Sequence, residues 1–362
     1  MIPISKPIVG IEERNAIIAV LESGMLAQGN ITKEFEEKFA AYCGSNFAVA
    51  TNNGTSALHS ALYALGIKSG DEVITSPFTF VATANSIIMQ GAKPVFVDIK
   101  EDTFNIDPSK IEEKITDKTK AIIVVNLYGQ VYDAEEIKRI AIKHNLKIIE
   151  DACQAVGAEL DGKKAGTFGD LSCFSFYATK NMITGEGGMI TTNDNNYAEL
   201  CKRFRHHGQS EKTRYEYHDL GYNYRMTDLQ AAIGLEQLKK IEILNNKRRD
   251  NARRLTERLK RIPGVIVPYI KPGAKHVFHQ YTIRIENRDQ LKEYLDKNEI
   301  GYGIYYPKPL HLHPFFMRLG YKEGDFPVSE KVSKEVLSLP VYPSLTEEEI
   351  NKIIKAVEVF YA

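Results

Sequence analysis

The chain alternates short apolar runs with longer segments in which apolar residues recur at helical spacing. The short runs predict strands and the periodic segments predict helices. In the first part of the chain the predicted strands are residues 47–51, 72–75, 94–99, 121–126 and 146–149, and the predicted helices are residues 55–65, 80–89 and 134–144. Such alternation is typical of an α/β fold with a mostly parallel sheet covered by helices on both faces. Ligands of such folds bind at the carboxyl ends of the strands.

The pattern changes after residue 170. Two closely spaced apolar runs predict strands at residues 172–177 and 188–192, and a periodic segment then predicts a helix at residues 197–206. A polar segment with leucine and isoleucine at helical spacing predicts one long or kinked helix over residues 227–261, which ends before Pro263 and Gly264.

The remainder of the chain predicts a smaller unit that contains both helices and strands. Strands are expected at residues 280–285 and 303–306, and helices at residues 289–298 and 347–361. We therefore expect a large domain over residues 1–245, with an N-terminal arm, and a small C-terminal α+β domain over residues 246–362. The boundary falls inside the long helix.

The amino-acid composition limits which binding partners and which cellular compartment the protein is expected to have. The 362 residues include 47 Lys and Arg and 47 Asp and Glu, so the formal net charge is zero and nothing in it favours nucleic acid or an anionic membrane as the main partner. No apolar run has membrane-spanning length, and the N-terminal prolines and charges do not fit a signal peptide. The four cysteines show no CxxC spacing and indicate a reducing compartment. We expect a cytoplasmic protein.

The segment Asn53-Gly-Thr-Ser56 follows the first predicted strand and opens a helix. Glycine permits a tight turn, and the free amides of a helix start bind anions. The segment has neither the Walker lysine nor the GxGxxG spacing, so it does not predict a nucleotide loop. It fits a phosphate site or an ordinary helix cap, and alone it does not decide between them.

Lys180 stands among small residues in the segment 175–188, after a predicted buried strand and before a glycine-rich turn. Asp151 ends the earlier apolar run of residues 146–150, at the carboxyl edge of another strand. A lysine and a carboxylate in these places suit pyridoxal phosphate, because the lysine binds and deprotonates while the carboxylate keeps the pyridine ring an electron sink. Each residue also has a structural interpretation, as a surface charge or as a cap of the next turn.

Several segments taken in order resemble the DegT/DnrJ/EryC1/StrS family. They are Asn53-Gly-Thr-Ser-Ala-Leu58, Ser76-Pro-Phe-Thr-Phe80-Val-Ala-Thr83, Glu150-Asp-Ala-Cys-Gln154, Ser175-Phe-Tyr-Ala-Thr-Lys180 with Gly185-Glu-Gly-Gly188, and Gly221-Tyr-Asn-Tyr-Arg225-Met226. The resemblance covers essentially the whole chain. It implies a fold-type-I aminotransferase with a mostly parallel seven-stranded sheet and a smaller C-terminal α+β domain.

The resemblance also implies the cofactor and the residues around its ring. The cofactor would be pyridoxal 5'-phosphate, with pyridoxamine phosphate as the intermediate form. Lys180 would hold it as a Schiff base and Asp151 would bind its pyridine nitrogen. Phe80 would stack on the ring, and Gln154 would lie close to it.

The phosphate of the cofactor would be bound by a second group of residues. By the resemblance they are Gly54, Thr55, Ser56, Ser175 and Asn223. Asn223 would reach in from a second subunit, so the resemblance implies a homodimer whose active site is built from both chains.

The implied substrates are glutamate and a nucleotide-linked keto-sugar. Arg225 matches a position that meets the nucleotide diphosphate, and Tyr305 and Tyr306 match positions that contact the sugar nucleotide. The N-terminal arm around Gly29 is a further candidate for substrate contact. Some relatives have histidine where Tyr305 stands. That departure leaves the nucleotide, the sugar and the choice between its C3 and C4 ketones open.

We therefore expect a transaminase that makes an amino sugar for glycan or secondary-metabolite biosynthesis. Two alternatives remain open. One is a PLP-dependent sugar dehydratase, in which histidine would replace Lys180, and the other is a non-catalytic PLP-binding regulatory protein. The histidine pairs at 206–207 and at 311 and 313 lack partners at ligand spacing, and we expect no metal.

Overall fold

Helices and strands alternate along most of the chain in the structure, a computed structural model that describes residues 1–210, 213 and 215–361. Its helices are α1 Ile11–Ser23, α2 Asn30–Cys43, α3 Gly54–Ala64, α4 Ala82–Met89, α5 Ala134–His144, α6 Asn195–Arg205, α7 Asp228–Leu259, α8 Arg288–Lys297, α9 Pro314–Met317, α10 Pro327–Glu335 and α11 Glu347–Phe360. Its strands are β1 Phe47–Thr51, β2 Glu72–Thr75, β3 Lys93–Phe96, β4 Thr119–Val125, β5 Lys147–Asp151, β6 Glu159–Leu160, β7 Lys163–Lys164, β8 Leu171–Ser175, β9 Gly188–Thr192, β10 Ala274–Lys275, β11 Tyr281–Arg284 and β12 Val336–Leu339.

The central sheet has seven strands in the order β1-β9-β8-β5-β4-β2-β3. Neighbouring strands are parallel except that β9 runs antiparallel to both β1 and β8. The predicted mostly parallel seven-stranded sheet is therefore confirmed. All strands other than β9 end at the same edge of the sheet, so the segments that follow them meet there.

Helices cover both faces of this sheet because its strands are apolar on both sides. In β4, Ile122 and Val124 belong to a core shared with α2, α5 and α7. Their neighbours Ala121 and Ile123 belong to a separate core shared with α3, α4 and α6. Side chains alternate between the faces of a strand, so a continuous apolar run buries the strand from both sides.

The C-terminal region combines helices with the antiparallel pair β11 and β12. Its core contains apolar residues of that pair, of α8 and α11, and of the C-terminal part of α7, among them Leu255 and Leu259. Ile2 joins the same core and pairs with Ile300. The N-terminus therefore packs against the C-terminal region, although the two are far apart in sequence.

The predicted strand at residues 303–306 is wrong. Gly303 forms only an isolated bridge with Ser338, and the strand that pairs with β11 is β12. The side chains of Tyr305 and Tyr306 instead line a cleft at the sheet edge. β12 was not predicted because it follows α10 directly, with no turn residues between them.

Helices α1 and α2 were also not predicted, and both pack along α7. Phe35 of α2 is fully buried, and a Cβ on Gly234 of α7 would lie 2.6 Å from its ring. Only glycine therefore allows this approach of the two helices.

No helix within residues 1–210, 213 and 215–361 combines the length and apolar character that a membrane span needs. The four cysteines, Cys43, Cys153, Cys173 and Cys201, are free thiols.

Candidate active site

A cleft of about 860 Å³ lies at the sheet edge where the parallel strands end. It is lined by the segments that follow β1, β2, β5 and β8, together with residues near β11 and residues 305–306. Ten of the predicted site residues line this one cleft: Gly54, Thr55, Ser56, Phe80, Asp151, Gln154, Ser175, Lys180, Tyr305 and Tyr306.

The start of α3 forms one end of the cleft. The Asn53 side chain accepts a hydrogen bond from the Ser56 amide at 2.8 Å, which caps the helix and fixes its first turn. The amides of Gly54 and Thr55 have no partner within the helix, because the first turn of any helix leaves its N–H groups free. A Cβ on Gly54 would lie 2.8 Å from Ser175 Cβ. Glycine therefore brings these amides close to the Ser175 hydroxyl, which makes a cradle for an anion.

Asp151 is the last residue of β5 and is only 4% exposed. One carboxylate oxygen accepts a hydrogen bond from the Thr83 hydroxyl at 2.7 Å, and the other accepts one from the Cys153 amide at 3.2 Å. Because both oxygens are held, the carboxylate keeps a fixed orientation at the cleft.

Lys180 lies in the loop after β8, where its amide donates to the Tyr177 carbonyl at 2.8 Å. Burial lowers the pKa of the Lys180 ammonium, and the neighbouring Cys153 and Asp151 oppose that shift only in part. Within the described residues its Nζ makes no hydrogen bond or salt bridge, and only burial and the charges of its neighbours act on it. An amine with a lowered pKa is available as a nucleophile and as a base.

Aromatic and amide side chains form the walls of the cleft. Phe80 is 57% exposed although it is large and apolar, and its ring centre is 6.4 Å from that of Tyr306. Gln154 accepts from the Tyr128 amide at 2.9 Å and donates to the Tyr306 hydroxyl at 3.4 Å. Tyr128 in turn donates its hydroxyl to the Tyr305 carbonyl. The wall is therefore fixed by bonds between segments distant in sequence.

The residues present fit pyridoxal phosphate. The amides at the start of α3 suit a phosphate, the fixed carboxylate of Asp151 suits a protonated ring nitrogen, and the exposed face of Phe80 suits a flat ring. Lys180 supplies the amine.

Three of the predicted residues do not line this cleft in their own chain. Asn223 is exposed and its backbone bridges His206. Arg225 lies 2.5 Å from His206 Nδ1 through its Nη1. The amide of Gly29 donates to Asp228 at 2.8 Å, at the start of α2. Their proposed ligand contacts stay predictions, and that of Asn223 is predicted to be made from a second subunit.

Sequence reasoning missed two residues that the structure brings to the cleft. Thr83 orients Asp151, and the only signal for it was its place in the Ser76–Thr83 segment. His279 lines the cleft and is 7% exposed. Its signal was weak, because a histidine before a predicted buried strand is commonly a packing residue.

The histidine pairs at 206–207 and at 311 and 313 do not form a metal centre. Within the described residues, no group of three or more His, Cys, Asp and Glu side chains is placed to hold a metal ion. His311 is fully buried and lies 2.9 Å from Glu330. His206 contacts Arg225 and Gln209.

Fold and site together define a fold-type-I aminotransferase. Residues 7–358 match the family model of the DegT/DnrJ/EryC1/StrS aminotransferase family, and the chain belongs to that family. The prediction of an aminotransferase is therefore confirmed.

Similar proteins carry both enzymatic and regulatory names. The GDP-perosamine synthase of Caulobacter vibrioides is 40% identical over 364 residues, covering 99% of this chain and 97% of that one. The pleiotropic regulatory protein of Geobacillus stearothermophilus is 47% identical over 345 residues, which cover 94% of this chain and 92% of that protein. The structure of Spr1654 from Streptococcus pneumoniae in its PLP form matches this chain with a TM-score of 0.94 and 30% sequence identity. The match covers 99% of this chain and 97% of that one.

Proposed function

We propose that the protein transfers the amino group of glutamate to the C3 or C4 ketone of a nucleotide-linked sugar. The observation that carries this proposal is the convergence of Lys180, Asp151 and the start of α3 on one cleft. A relative named for making GDP-perosamine supports a nucleotide sugar as acceptor. The product would be an amino sugar for glycan or secondary-metabolite biosynthesis.

The cofactor would be held at both ends. Gly54, Thr55, Ser56 and Ser175 would bind its phosphate, and Asp151 would bind its ring nitrogen. Phe80 and Gln154 would border the ring. When bound, pyridoxal phosphate supplies an aldehyde that bonds to amines and a ring that accepts the electron pair left when a proton departs.

Lys180 carries the proton. Because burial lowers the pKa of its ammonium, the free amine is a competent base for the α-proton of glutamate. The Nζ would take that proton from the α-carbon and give it to the carbon that carried the aldehyde of the cofactor, before water releases 2-oxoglutarate. It would run the same transfer in the opposite direction when the keto-sugar is the substrate. Amino donor and acceptor therefore use the same lysine in turn, in a ping-pong scheme.

The sugar nucleotide would contact Tyr305 and Tyr306 within the cleft, and Arg225 and Gly29 of a second subunit. Asn223 of that subunit would complete the phosphate site. The proposal therefore includes a homodimer with a composite active site. A guanidinium is suited to a diphosphate because it donates two parallel hydrogen bonds.

A regulatory protein is the second candidate, and the regulatory name of one close relative favours it. Such a protein would need to bind the cofactor but would not need the proton-carrying lysine. The presence of Lys180 beside the held carboxylate of Asp151 supports catalysis instead, and it also argues against the dehydratase.

An optical experiment tests the proposal. The purified protein should be yellow, lose its visible band on addition of glutamate, and regain it with a keto-sugar nucleotide. A panel of UDP, dTDP and GDP keto-sugars, with the product amine located by NMR, identifies the acceptor.

The Lys180→Ala variant should fold but fail to turn over, while Lys120→Ala, at an exposed lysine of β4, should behave as wild type. Turnover by Lys180→Ala would contradict the scheme. A wild-type protein that binds PLP but never releases 2-oxoglutarate with any acceptor would favour the regulatory function.

A further inference from the structure

The segment of residues 276–280 contributes His279 and Gln280 to the cleft and is fixed by several hydrogen bonds. The Val277 amide donates to the Gly129 carbonyl at 3.0 Å, and the Val277 carbonyl accepts from the Asn181 side chain at 2.9 Å. The Phe278 carbonyl accepts from Arg248 of α7 at 3.4 Å. Asn181 directly follows Lys180, so the lysine loop and this segment are tied together.

The backbone of this segment is strained immediately before His279. Phe278 has φ of 45°, in the left-handed region that bulky residues rarely adopt. Its amide donates to His276 Nδ1 at 2.8 Å, and the two rings stack with centres 4.1 Å apart. Such strain persists only where the surroundings impose it, and it is concentrated at functional sites.

The strained turn places the His279 imidazole at the cleft that Lys180 also lines. The residue is 7% exposed, and its buried Nδ1 has no hydrogen-bond partner within the described residues. A buried polar atom without a partner costs about 1–3 kcal/mol, so a packing role alone explains this histidine poorly.

Lys180 also lacks a hydrogen-bond partner and needs a group that keeps its side chain in place. Its Nζ makes no hydrogen bond or salt bridge within the described part of the chain. Once glutamate has displaced it, the amine is the end of a flexible four-carbon stem. It must nevertheless stay close to the reacting carbons between two proton transfers, because small misplacements slow such steps strongly.

We propose that His279 is a positioning residue for Lys180, a neutral imidazole that holds the freed lysine side chain in place between its two proton transfers. This inference rests on the proposed function. A neutral imidazole has one N–H and one acceptor nitrogen, so it can pair with the lysine as an amine or as an ammonium. An imidazolium has only donors and would repel the ammonium.

The charges around His279 keep it neutral. The charged groups that act on it are Lys180, from the loop after β8, and Arg248, from α7. Burial first, and then these two cations, lower the pKa of His279 well below its usual value. Arg248 is itself 5% exposed and forms no ion pair within the described residues. Its charge therefore adds to that of Lys180 in disfavouring an imidazolium.

Two matched variants test the role. His279→Gln keeps a donor and an acceptor without a titrating ring, whereas His279→Leu removes both at similar volume. The measurement is the single-turnover loss of the visible band with glutamate carrying hydrogen or deuterium on the α-carbon. We expect His279→Leu to slow this step about tenfold or more and to raise the isotope effect, with KM for glutamate unchanged. His279→Gln should stay within about threefold of wild type.

Equal slowing in both variants, together with a lowered melting temperature, would show a structural role and overturn the inference. A wild-type rate in His279→Leu would also overturn it. The second measurement uses the apoprotein. The ring NMR signals of His279, assigned by their loss in His279→Gln, should not titrate between about pH 5 and pH 9. Titration near the usual value would overturn the neutral imidazole. If wild-type protein does not react with glutamate, the proposed function fails instead, and the NMR titration still decides the charge of His279.

Discussion

Lys180 shows how opposing environments set the reactivity of a single residue. Burial favours the neutral amine, while Asp151 and Cys153 favour the ammonium, and burial prevails. Thr83 and the Cys153 amide donate to the two oxygens of the Asp151 carboxylate and hold its orientation. Reactivity of the lysine therefore depends on its burial, which outweighs the attraction of this carboxylate.

The lowered pKa of Lys180 makes a prediction about the stability of the apoprotein. The unfolded chain binds a proton more tightly than the folded one, so the lysine destabilises the fold below its usual pKa of about 10.4, and the penalty disappears above it. Lys180→Met should therefore raise the melting temperature of the apoprotein at pH 7 by on the order of 1–3 °C, with the difference shrinking as pH approaches 10. Thermal unfolding at several pH values measures this. Lys120→Met is the control, and an unchanged or lower melting temperature for Lys180→Met would contradict the prediction.

A second prediction at the scale of single residues concerns Gly54. In Gly54→Ala the new methyl would lie 2.8 Å from Ser175 Cβ and 3.1 Å from Cys153 Sγ, so the start of α3 must shift away from the hydroxyl of Ser175. We expect affinity for pyridoxal phosphate to fall roughly tenfold, measured by absorbance titration of the apoprotein. Gly10→Ala, also at a helix start, meets at close range only the flexible carboxyl end of Glu12 and should bind normally. Wild-type affinity in Gly54→Ala would show that this cradle does not hold the phosphate.

Sequence alone placed most cleft residues because their chemistry is local. Gly54, Asp151 and Lys180 each follow a recognisable strand, and parallel strands bring their ends together. His279 could not be found in this way. Its position depends on the backbone of Phe278 and on contacts to Gly129 and Arg248, which are distant in sequence.

At the scale of elements, α2 depends on a residue of α7. Asp228 is 2% exposed, and its carboxylate accepts hydrogen bonds from the Gly29 amide at 2.8 Å, the Thr32 amide at 2.9 Å and the Thr32 hydroxyl at 2.6 Å. A carboxylate at a helix start satisfies free amides and complements the helix dipole. One side chain therefore caps α2 and joins it to α7.

Removing this cap should destabilise the protein. Asp228→Ala should lower the free energy of unfolding by about 1–3 kcal/mol, because buried donors lose their acceptor. Asp228→Asn should lose less stability than Asp228→Ala, because its amide oxygen can still accept hydrogen bonds from these donors. Asp194→Ala removes an ordinary exposed cap of α6 and is the comparison. Urea denaturation measures all three variants, and a loss in Asp228→Ala no larger than in Asp194→Ala would contradict the linking role.

Most elements were predicted where periodicity reports burial. Helix α2 is an exception, because Phe35 and Phe39 lie on one buried face and the helix was still not predicted. The strands β1, β2 and β9 have the predicted bounds because apolar runs fill them. Helix α1 exposes Ile11, Ile18 and Leu21, so its apolar residues do not form a single buried face. Strand β12 is recognisable only through its partner β11. Local pattern therefore misses elements such as α1, which has no single buried face, and β12, which its partner strand defines.

Helix α7 spans the two main cores. Its residues up to Ile241 pack against the sheet, and its residues from Ala252 pack in the C-terminal core. We propose a domain boundary near residue 245, between these two stretches.

At the scale of the whole molecule, many large apolar side chains remain exposed in the single chain. They include Ile18, Leu21 and Met25 at and after α1, and Tyr215 and Leu220 in the segment before Asn223. Exposed apolar groups of this kind are typical of a surface that another protein covers. A second copy of the chain is the partner that would also bring Asn223 to a cofactor phosphate.

Complementation of inactive subunits tests this arrangement. Lys180→Ala removes the amine, and Asn223→Asp places a negative charge beside the phosphate, so each homodimer should be inactive. A heterodimer of the two, isolated with two different affinity tags, should recover about half of wild-type activity. The reason is that one of its two sites would combine the intact Lys180 of one chain with the intact Asn223 of the other.

The control pairs Lys180→Ala with Asp151→Asn. Both residues line the cleft of the same chain, so each site of that heterodimer contains one substitution and activity should stay absent. If Asn223 served its own chain, the Lys180→Ala and Asn223→Asp heterodimer would be equally inactive. Recovery in the first pair and not in the second therefore requires that Asn223 cross between subunits, and it links the exposed position of that residue to the chemistry of Lys180.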